Sequence, residues 1–374
     1  MRTVTGGASL ALLTSCGLLC GLTALHARQA PPAPSAPLDG AVRSEVIEGV
    51  LKRLNEEYVF PEVAKKMETA IHDRMKKQEY DTLSEGQAFA EKLTQDLQAV
   101  SHDKHLRVRY SARPTPEENP QATPTEAEKQ KQREDYLHQG KLMNWGFEKV
   151  ERLPGNIGYL DFRFFQDPEQ AGETLAGAMN FLANTDALII DMRRNGGGDP
   201  AMVAVACSYL FDSEPIHLND IYWRPDNSTR QYWTLPHISG KRYVGKDVYV
   251  LTSKYTFSGA EEFTYNLKTQ KRATIIGETT GGGANPGGME RINAHFAVFV
   301  PAGRAINPIT KTNWEGVGVP PDTAVPSTQA LQTAHKMALQ KQIDKEKDPD
   351  RKEALQKALQ TVQKELDEII KKPS

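Results

Sequence analysis

The sequence predicts an α/β fold: a mostly parallel sheet, preceded and followed by helical segments. Three observations carry that expectation. From Asn156 onward, short β-rich runs alternate with amphipathic stretches long enough to be helices. Upstream, Arg43 to Val100 repeats its apolar residues at helical spacing, with breaks near Phe60-Pro61 and at Asp81-Thr-Leu-Ser84. Downstream, Leu331 to Lys372 is highly charged and keeps a helical pattern throughout.

Taken in order, residues 1–27 read as a secretory signal peptide. Arg2 precedes an apolar stretch, Leu10 to Leu25, shorter than the ~20 residues a membrane span needs. Ala24-Leu-His-Ala27 supplies a small residue for cleavage after Ala27. A periplasmic or secreted protein is therefore expected. Cys16 and Cys20 leave a lipoprotein as the alternative, although Leu13-Thr-Ser-Cys16 is a poor lipidation motif. Residues 28–40 form a Pro/Ala-rich disordered leader. Residues 41–113 are expected to be a small helical domain of three helices, ending in the polar turn Ser101–Arg107 and a strand from Leu106 to Tyr110. Residues 114–140, rich in Pro, Glu, Gln and Lys at the start, read as a charged linker or flap.

Residues 141–326 make the α/β core. Strands are expected at Ile157–Phe165, Ala187–Asp191, Val248–Thr252, Ala273–Gly277 and Phe296–Val300. Helices are expected at Glu169–Leu182, Ala201–Phe211 and Gly259–Lys271, giving right-handed βαβ units. Residues 327–374 read as one charged C-terminal helix. It is either a solvated tail or a subunit contact through Leu355, Leu359, Val362 and Leu366.

Two turns in the core carry chemistry. Ser258 falls between the Val248–Thr252 strand and the helix that begins at Gly259. A helix start collects unpaired N–H groups and partial positive charge, which suits a nucleophile beside a developing oxyanion. Serine is also a common N-cap, and the local pattern alone leaves both roles open. The second turn is Arg194-Asn-Gly-Gly-Gly198, at the end of the Ala187–Asp191 strand. Its glycines allow close backbone approach and inward N–H groups. It is neither a Walker loop nor a dinucleotide fingerprint.

Three ordered blocks make the chain resemble the C-terminal processing (tail-specific) serine peptidases. They are Asp191-Met-Arg-Arg-Asn-Gly-Gly-Gly198, then Ser258-Gly-Ala-Glu261 with Gly277-Glu-Thr-Thr-Gly281, then Glu315-Gly-Val-Gly-Val-Pro-Pro-Asp322. The resemblance spans about Asn156 to Val325 and implies a crotonase-like core related to Clp protease. The commonest branch of that family uses a lysine base, and Gly283 stands at the expected lysine position. The resemblance then turns to the branch of tricorn core protease and interphotoreceptor retinoid-binding protein, which uses histidine and glutamate. Asp103-Lys-His105 matches its Asp-x-His pattern, so the resemblance implies Ser258 as nucleophile, His105 as base and Glu315 as orienter. Ser101 and His102 are possible auxiliaries, and Lys254 and Lys268 are the nearest competing lysines. The oxyanion hole is expected from the N–H groups of Gly259 and of Gly197 or Gly198. Too little chain separates His105 from Asn156 for a peptide-tethering PDZ domain.

Composition narrows the remaining classes. Lys and Arg number 46 against 48 Asp and Glu, a net charge of −2, which gives no footprint for nucleic acid. Of the 3 cysteines, Cys207 alone would remain after signal cleavage, and its apolar helical face makes it core filler. No Cys/His cluster has zinc spacing, so neither metal nor cofactor is expected. The expected function is an exported serine peptidase acting on peptides or unfolded proteins. Two alternatives stand beside it: a non-catalytic module that binds hydrophobic ligands, and a non-peptidase acyl hydrolase.

Overall fold

The chain is seen in a computed structural model that describes residues 38–115 and 125–371. The expected signal peptide and leader lie almost wholly outside the described residues, as does the middle of the expected linker. Helices α1 (Gly40–Glu57), α2 (Pro61–Lys76) and α3 (Gly86–Ser101) come first, followed by strand β1 (Arg107–Tyr110). The breaks fall where the sequence puts them. Asp39 caps α1 by accepting from the Val42 N–H, and Pro61 opens α2 at a position that needs no donor.

Helix α4 (Glu126–Leu142) occupies much of the expected linker. Glu, Lys and Gln are good helix formers, and Thr125 with Glu128 closes a capping box. High polarity there marks an exposed helix; of its residues only Gly140 is buried. Strands β2 (Phe147–Leu153), β3 (Ile157–Phe162) and β4 (Ala187–Asp191) follow, with α5 (Pro168–Leu182) between the last two. Next come α6 (Pro200–Ser208), the hairpin β5 (His217–Trp223) and β6 (Ser228–Trp233), strand β7 (Asp247–Thr252), α7 (Gly259–Thr269) and β8 (Thr274–Gly277). Strands β9 (Gly287–Arg291), β10 (Phe296–Pro301), β11 (Gly303–Ile306) and β12 (Thr323–Ala324) lead into α8 (Ala330–Lys345) and α9 (Pro349–Lys371).

The main sheet has six strands in the order β12-β8-β7-β4-β3-β2, with β2 antiparallel and the rest parallel. Successive parallel strands step in one direction, so right-handed crossovers put α5, α6 and α7 on the same face. There they share a core with Leu188, Ile190, Val248, Val250 and Ile275. The other face, with Ile157, Ile189, Tyr249, Leu251 and Ile276, would be left bare, and α8 and α9 cover it.

The tail is thus two helices rather than one, and it is a structural layer rather than a solvated appendage. Leu355, Val362 and Leu366, offered by the sequence to another subunit, are buried within this chain. The β10 strand, expected among the alternating core strands, instead pairs antiparallel with β1 and β9 in a separate three-stranded sheet. Phe296, Val298 and Val300 from β10 complete the core of α1–α3, so the N-terminal helices share a core with a distant part of the chain.

Candidate active site

Ser258 joins β7 to α7 with φ 54° and ψ −123°, a conformation that side-chain-bearing residues rarely adopt. Such a sharp strand-to-helix turn lifts a side chain out of the chain's path. Neighbouring contacts hold it there. The Glu261 carboxylate accepts from the Ser258 N–H at 2.9 Å, and the Phe257 N–H donates to the Asn195 carbonyl at 3.2 Å. Ser253 Oγ and Thr256 Oγ1 donate to the carbonyls of Arg193 and Met192, tying the serine turn to the glycine turn.

The glycine turn is set by its own polar residues. Arg193 pairs with the Asp191 carboxylate, which also accepts from Tyr159 Oη at 2.7 Å. Those bonds hold Asp191 ionised, its pKa below the usual range despite burial. Asn195, fully buried, donates through Nδ2 to the Phe162 carbonyl and accepts from the Gly197 N–H at 2.8 Å. Gly197 and Gly198 have φ of 106° and 140°, which favours glycine. A Cβ on Gly197 would stand 2.7 Å from the Gly259 nitrogen and 2.8 Å from Ser258 Cβ, so the two turns touch. A Cβ on Gly259 would lie 3.0 Å from the Gly198 nitrogen. The expectation that Gly197 offers a free donor is corrected here, because Asn195 folds back and takes its N–H. The N–H groups of Gly198 and Gly259 have no such partner.

His105 comes from the turn between α3 and β1 and is 6% exposed. Its ring lies against Phe257, centroids 4.6 Å apart, and against Phe299 at 5.9 Å. His105, Ser258, Gly198, Gly259 and Gly283 all line one cavity of about 440 Å³. Burial, with Arg107 nearby, pushes the imidazole pKa down to about 4, so it is neutral at pH 7. His102 caps the end of α3 in the left-handed region and faces solvent. Lys254 is exposed, and Lys268 is committed to Asp322 and the Pro320 carbonyl.

Gly283 is adjacent to this histidine. A Cβ there would stand 2.3 Å from the Phe257 ring and 2.7 Å from His105 Cε1. The Phe257 ring and the edge of the imidazole together fill the space where a residue-283 Cβ would stand. The segment is clamped on both sides. Glu261 accepts from the N–H groups of Gly282 and Gly283 and from Thr280 Oγ1, while the Trp314 indole donates to the Gly283 carbonyl at 2.7 Å. Burial raises the Glu261 pKa to about 6 against those three donors and the Ser258 N–H.

Behind the imidazole stand two carboxyls. Ligating atoms of Asp103, His105 and Glu315 all lie within 4.8 Å of one another. Asp103 accepts from the His105 N–H at 3.0 Å, from Asn285 Nδ2 at 2.9 Å and from Tyr58 Oη at 3.2 Å. Ser101 accepts from the Asp103 N–H at 3.2 Å, so it shapes the turn. Glu315 Oε2 accepts from the Ala284 N–H, whereas Glu315 Oε1 and His105 Nδ1 are buried without a partner. Burial, and the neighbouring Asp103, raise the Glu315 pKa to about 8. Tyr58, Asn285 and Trp314 were not singled out from sequence, and Asp103 and Glu261 appeared there only as members of motifs, with no role of their own. The Ser-x-x-Glu spacing of a capping box was the local signal for Glu261, and the Asp-x-His spacing that for Asp103.

A serine in a strained turn, two unpaired N–H groups beside it, and a neutral histidine lining the same cavity form a set found in serine hydrolases. The comparison with protein families agrees. Peptidase family S41 matches residues 156–325, and the N-terminal domain of peptidase S41 in eukaryotic IRBP matches residues 41–143. The chain belongs to peptidase family S41. The tail-specific protease of Haemophilus influenzae is 34% identical over 104 residues, which is 26% of this chain and 13% of that protein's length. Two solved structures share the fold of this S41 chain. A candidate peptidase from Parabacteroides merdae aligns with TM-score 0.51 and 18% identity, over 76% of this chain and 90% of its own. A lipoprotein from Streptococcus agalactiae aligns with TM-score 0.52 and 13% identity, over 79% and 96%. Among the described residues no helix is long and apolar enough to cross a membrane.

Proposed function

We propose that this S41 chain is an exported serine peptidase that hydrolyses peptides or unfolded proteins with Ser258 as nucleophile, His105 as general base and Glu315 as the group that orients the histidine. The observation that carries the reading is the meeting of Ser258, His105 and the Gly198 and Gly259 N–H groups at one cavity. A serine hydroxyl needs a neighbouring base, and burial leaves the His105 imidazole neutral and able to take its proton. Ser258 Oγ attacks the peptide carbonyl carbon as its proton passes to His105. The carbonyl oxygen takes the negative charge and is held by the Gly259 and Gly198 N–H groups. The intermediate collapses with cleavage of the C–N bond, and the departing amine takes the proton from His105. Water then repeats the sequence and frees the acid.

Glu315 is assigned behind the base because its unpartnered Oε1 and the unpartnered His105 Nδ1 belong to the same cluster. A small closure would satisfy both atoms with one hydrogen bond, the kind of bond that often tightens when substrate binds. Asp103 fixes the backbone of the histidine turn, its oxygens already engaged by three donors. Export rests on the N-terminal signal pattern, with cleavage after Ala27.

The reading is tested with a fluorophosphonate probe on the purified mature protein. Labelling of wild type that is lost in Ser258→Ala, together with cleavage of a peptide library, is the expected result. Absence of labelling would overturn the nucleophile and leave a binding module. Labelling without peptide cleavage would leave a hydrolase of other esters or amides.

A further inference from the structure

We propose that the outer face of the small sheet β1-β10-β9 is a guanidinium-lined ramp that binds acidic side chains of the peptide, so that the chain prefers substrates with Asp or Glu in the residues that follow the scissile bond. This rests on the peptidase reading of Ser258. The inner face of that sheet is committed, since Val108, Phe296, Val298 and Val300 pack into the core of α1–α3. Side chains alternate along a strand, so the residues between these share the outer face. Register sets them in two rows. Arg107, Phe299 and Met289 form the first, and Arg109, Ala297 and Arg291 the second. Arg107 and Phe299 line the cavity of Ser258, as do His105 just before β1 and Gly287 at the start of β9. The first row is therefore the rim of the cavity, and the second lies about 7 Å further out along the strands.

The arginines of this face lack counter-charges. Among the described residues none of Arg107, Arg109 and Arg291 forms an ion pair. Arg107 Nε and Arg291 Nε are buried without an acceptor. Arg107 stacks 5.6 Å from the Phe299 ring centroid, and burial together with the like charge of Arg109 pushes its pKa down. Glu290, between Met289 and Arg291, stands opposite Val298 and meets Arg53 instead. The two carboxyls of the cavity do not offset these cations. Burial raises the Glu262 pKa to about 8, so it is neutral at pH 7, with the Asn219 and Asn266 amides beside it. Asp199 accepts from the Ala201 N–H at 2.7 Å and caps α6. Arg230 and Trp223 also line the cavity, and the buried Trp223 indole N–H has no acceptor. Unmet donors call for an acceptor, and a carboxylate meets a guanidinium with short, charge-assisted bonds. The chemistry of the base sets the direction. His105 hands its proton to the departing amine, so the residues after the scissile bond leave on the histidine's side, where Phe299 and the ramp begin. A basic residue there would face Arg107 and Arg109 with like charge.

Matched peptides test the ramp. Two peptides of one scaffold carry Glu or Gln in the C-terminal half, both amidated at the C-terminus so that side chains supply the only carboxylates there. Mass spectrometry maps the cleaved bond. Wild-type kcat/KM should favour the Glu peptide by about three- to tenfold at low salt, and the ratio should shrink as salt is raised. In the double variant Arg109→Gln/Arg291→Gln the ratio should fall toward one. Binding of the same pair to Ser258→Ala, read by fluorescence anisotropy, gives the comparison without turnover, and tighter binding of the Glu peptide is expected. Equal binding and equal kcat/KM for the two peptides would overturn the ramp, as would a Glu preference that survives in the double variant. A wild-type protein that cleaves neither peptide, while Ser258→Ala still prefers Glu, would overturn the peptidase reading and leave the ramp in place.

Discussion

At the scale of single residues, the site is a contest between burial and partners. His105 is nearly enclosed by Phe257, Phe299 and the glycine segment, which removes water from the imidazole and keeps it neutral. His102, three positions earlier, ends α3 in solvent. His105→Ala should therefore lose turnover by a factor on the order of thousands or more, while His102→Ala should keep most of it, both read as kcat/KM on one peptide. Comparable losses in the two variants would reject His105 as the base. Glu315 gives a pH prediction. Its pKa is raised from 4.5 to about 8, so the charge behind the imidazole forms only as pH climbs. Wild-type kcat/KM should rise between pH 7 and 9, and Glu315→Gln should be slower and lack that rise. Stability should run the other way. A carboxyl whose folded pKa is raised stabilises the fold fully below about pH 4.5, and that contribution fades as pH passes 8. Urea melts of wild type and Glu315→Gln should therefore agree in acid and separate toward alkaline pH, where wild type becomes the less stable.

At the scale of elements, glycine at 283 and histidine at 105 are one decision seen from two segments. The Cβ that Gly283 lacks would run into the Phe257 ring and the edge of the imidazole packed against it. Gly283→Ala should cost about 1–3 kcal/mol from overpacking and should depress activity by tilting His105. Gly283→Lys should fail to restore a lysine base to His105→Ala, because the stem has to pass the Phe257 ring. Thermal melts and kinetics of the three variants check this. Activity of the double variant near wild type would show that the cavity can accept either base. Gly283 stood out in the sequence as a missing lysine, but what fills its place did not. The contact joins residues 178 positions apart in the chain, and no local pattern encodes it.

At the scale of the whole molecule, α8 and α9 answer a topological demand. Strands that step in one direction leave one sheet face bare, and the tail covers it with Ala334, Ala338, Leu339, Ile343 and Leu355. Removal of residues 330–371 should expose that face and yield insoluble or molten protein, even though no site residue is deleted. A soluble truncated chain with a cooperative melt and full Ser258 labelling would contradict this role. The charged pattern of the tail looked solvated because its apolar positions are spaced along one stripe, and a stripe does not reveal what it meets.

Local chemistry settled much in the sequence itself. Caps and prolines set the ends of α1, α2 and α5, and continuous apolar runs marked β3, β4 and β7 as buried strands. The turn holding Ser258 and the glycine turn were legible because both follow such strands. The strands of the two small sheets, including β5, β6, β9 and β11, were not, since they mix polar and apolar residues without a strong period. Tertiary structure alone decided how the histidine turn reaches the serine. Pairing of β1 with β10 carries the end of the helical region onto the glycine segment, where Asp103 meets Asn285 and Lys104 meets the Gly281 carbonyl. Residue types and turns are local properties of a chain, whereas a base, an orienter and a nucleophile drawn from three distant segments meet only when the sheets have paired and the core has closed.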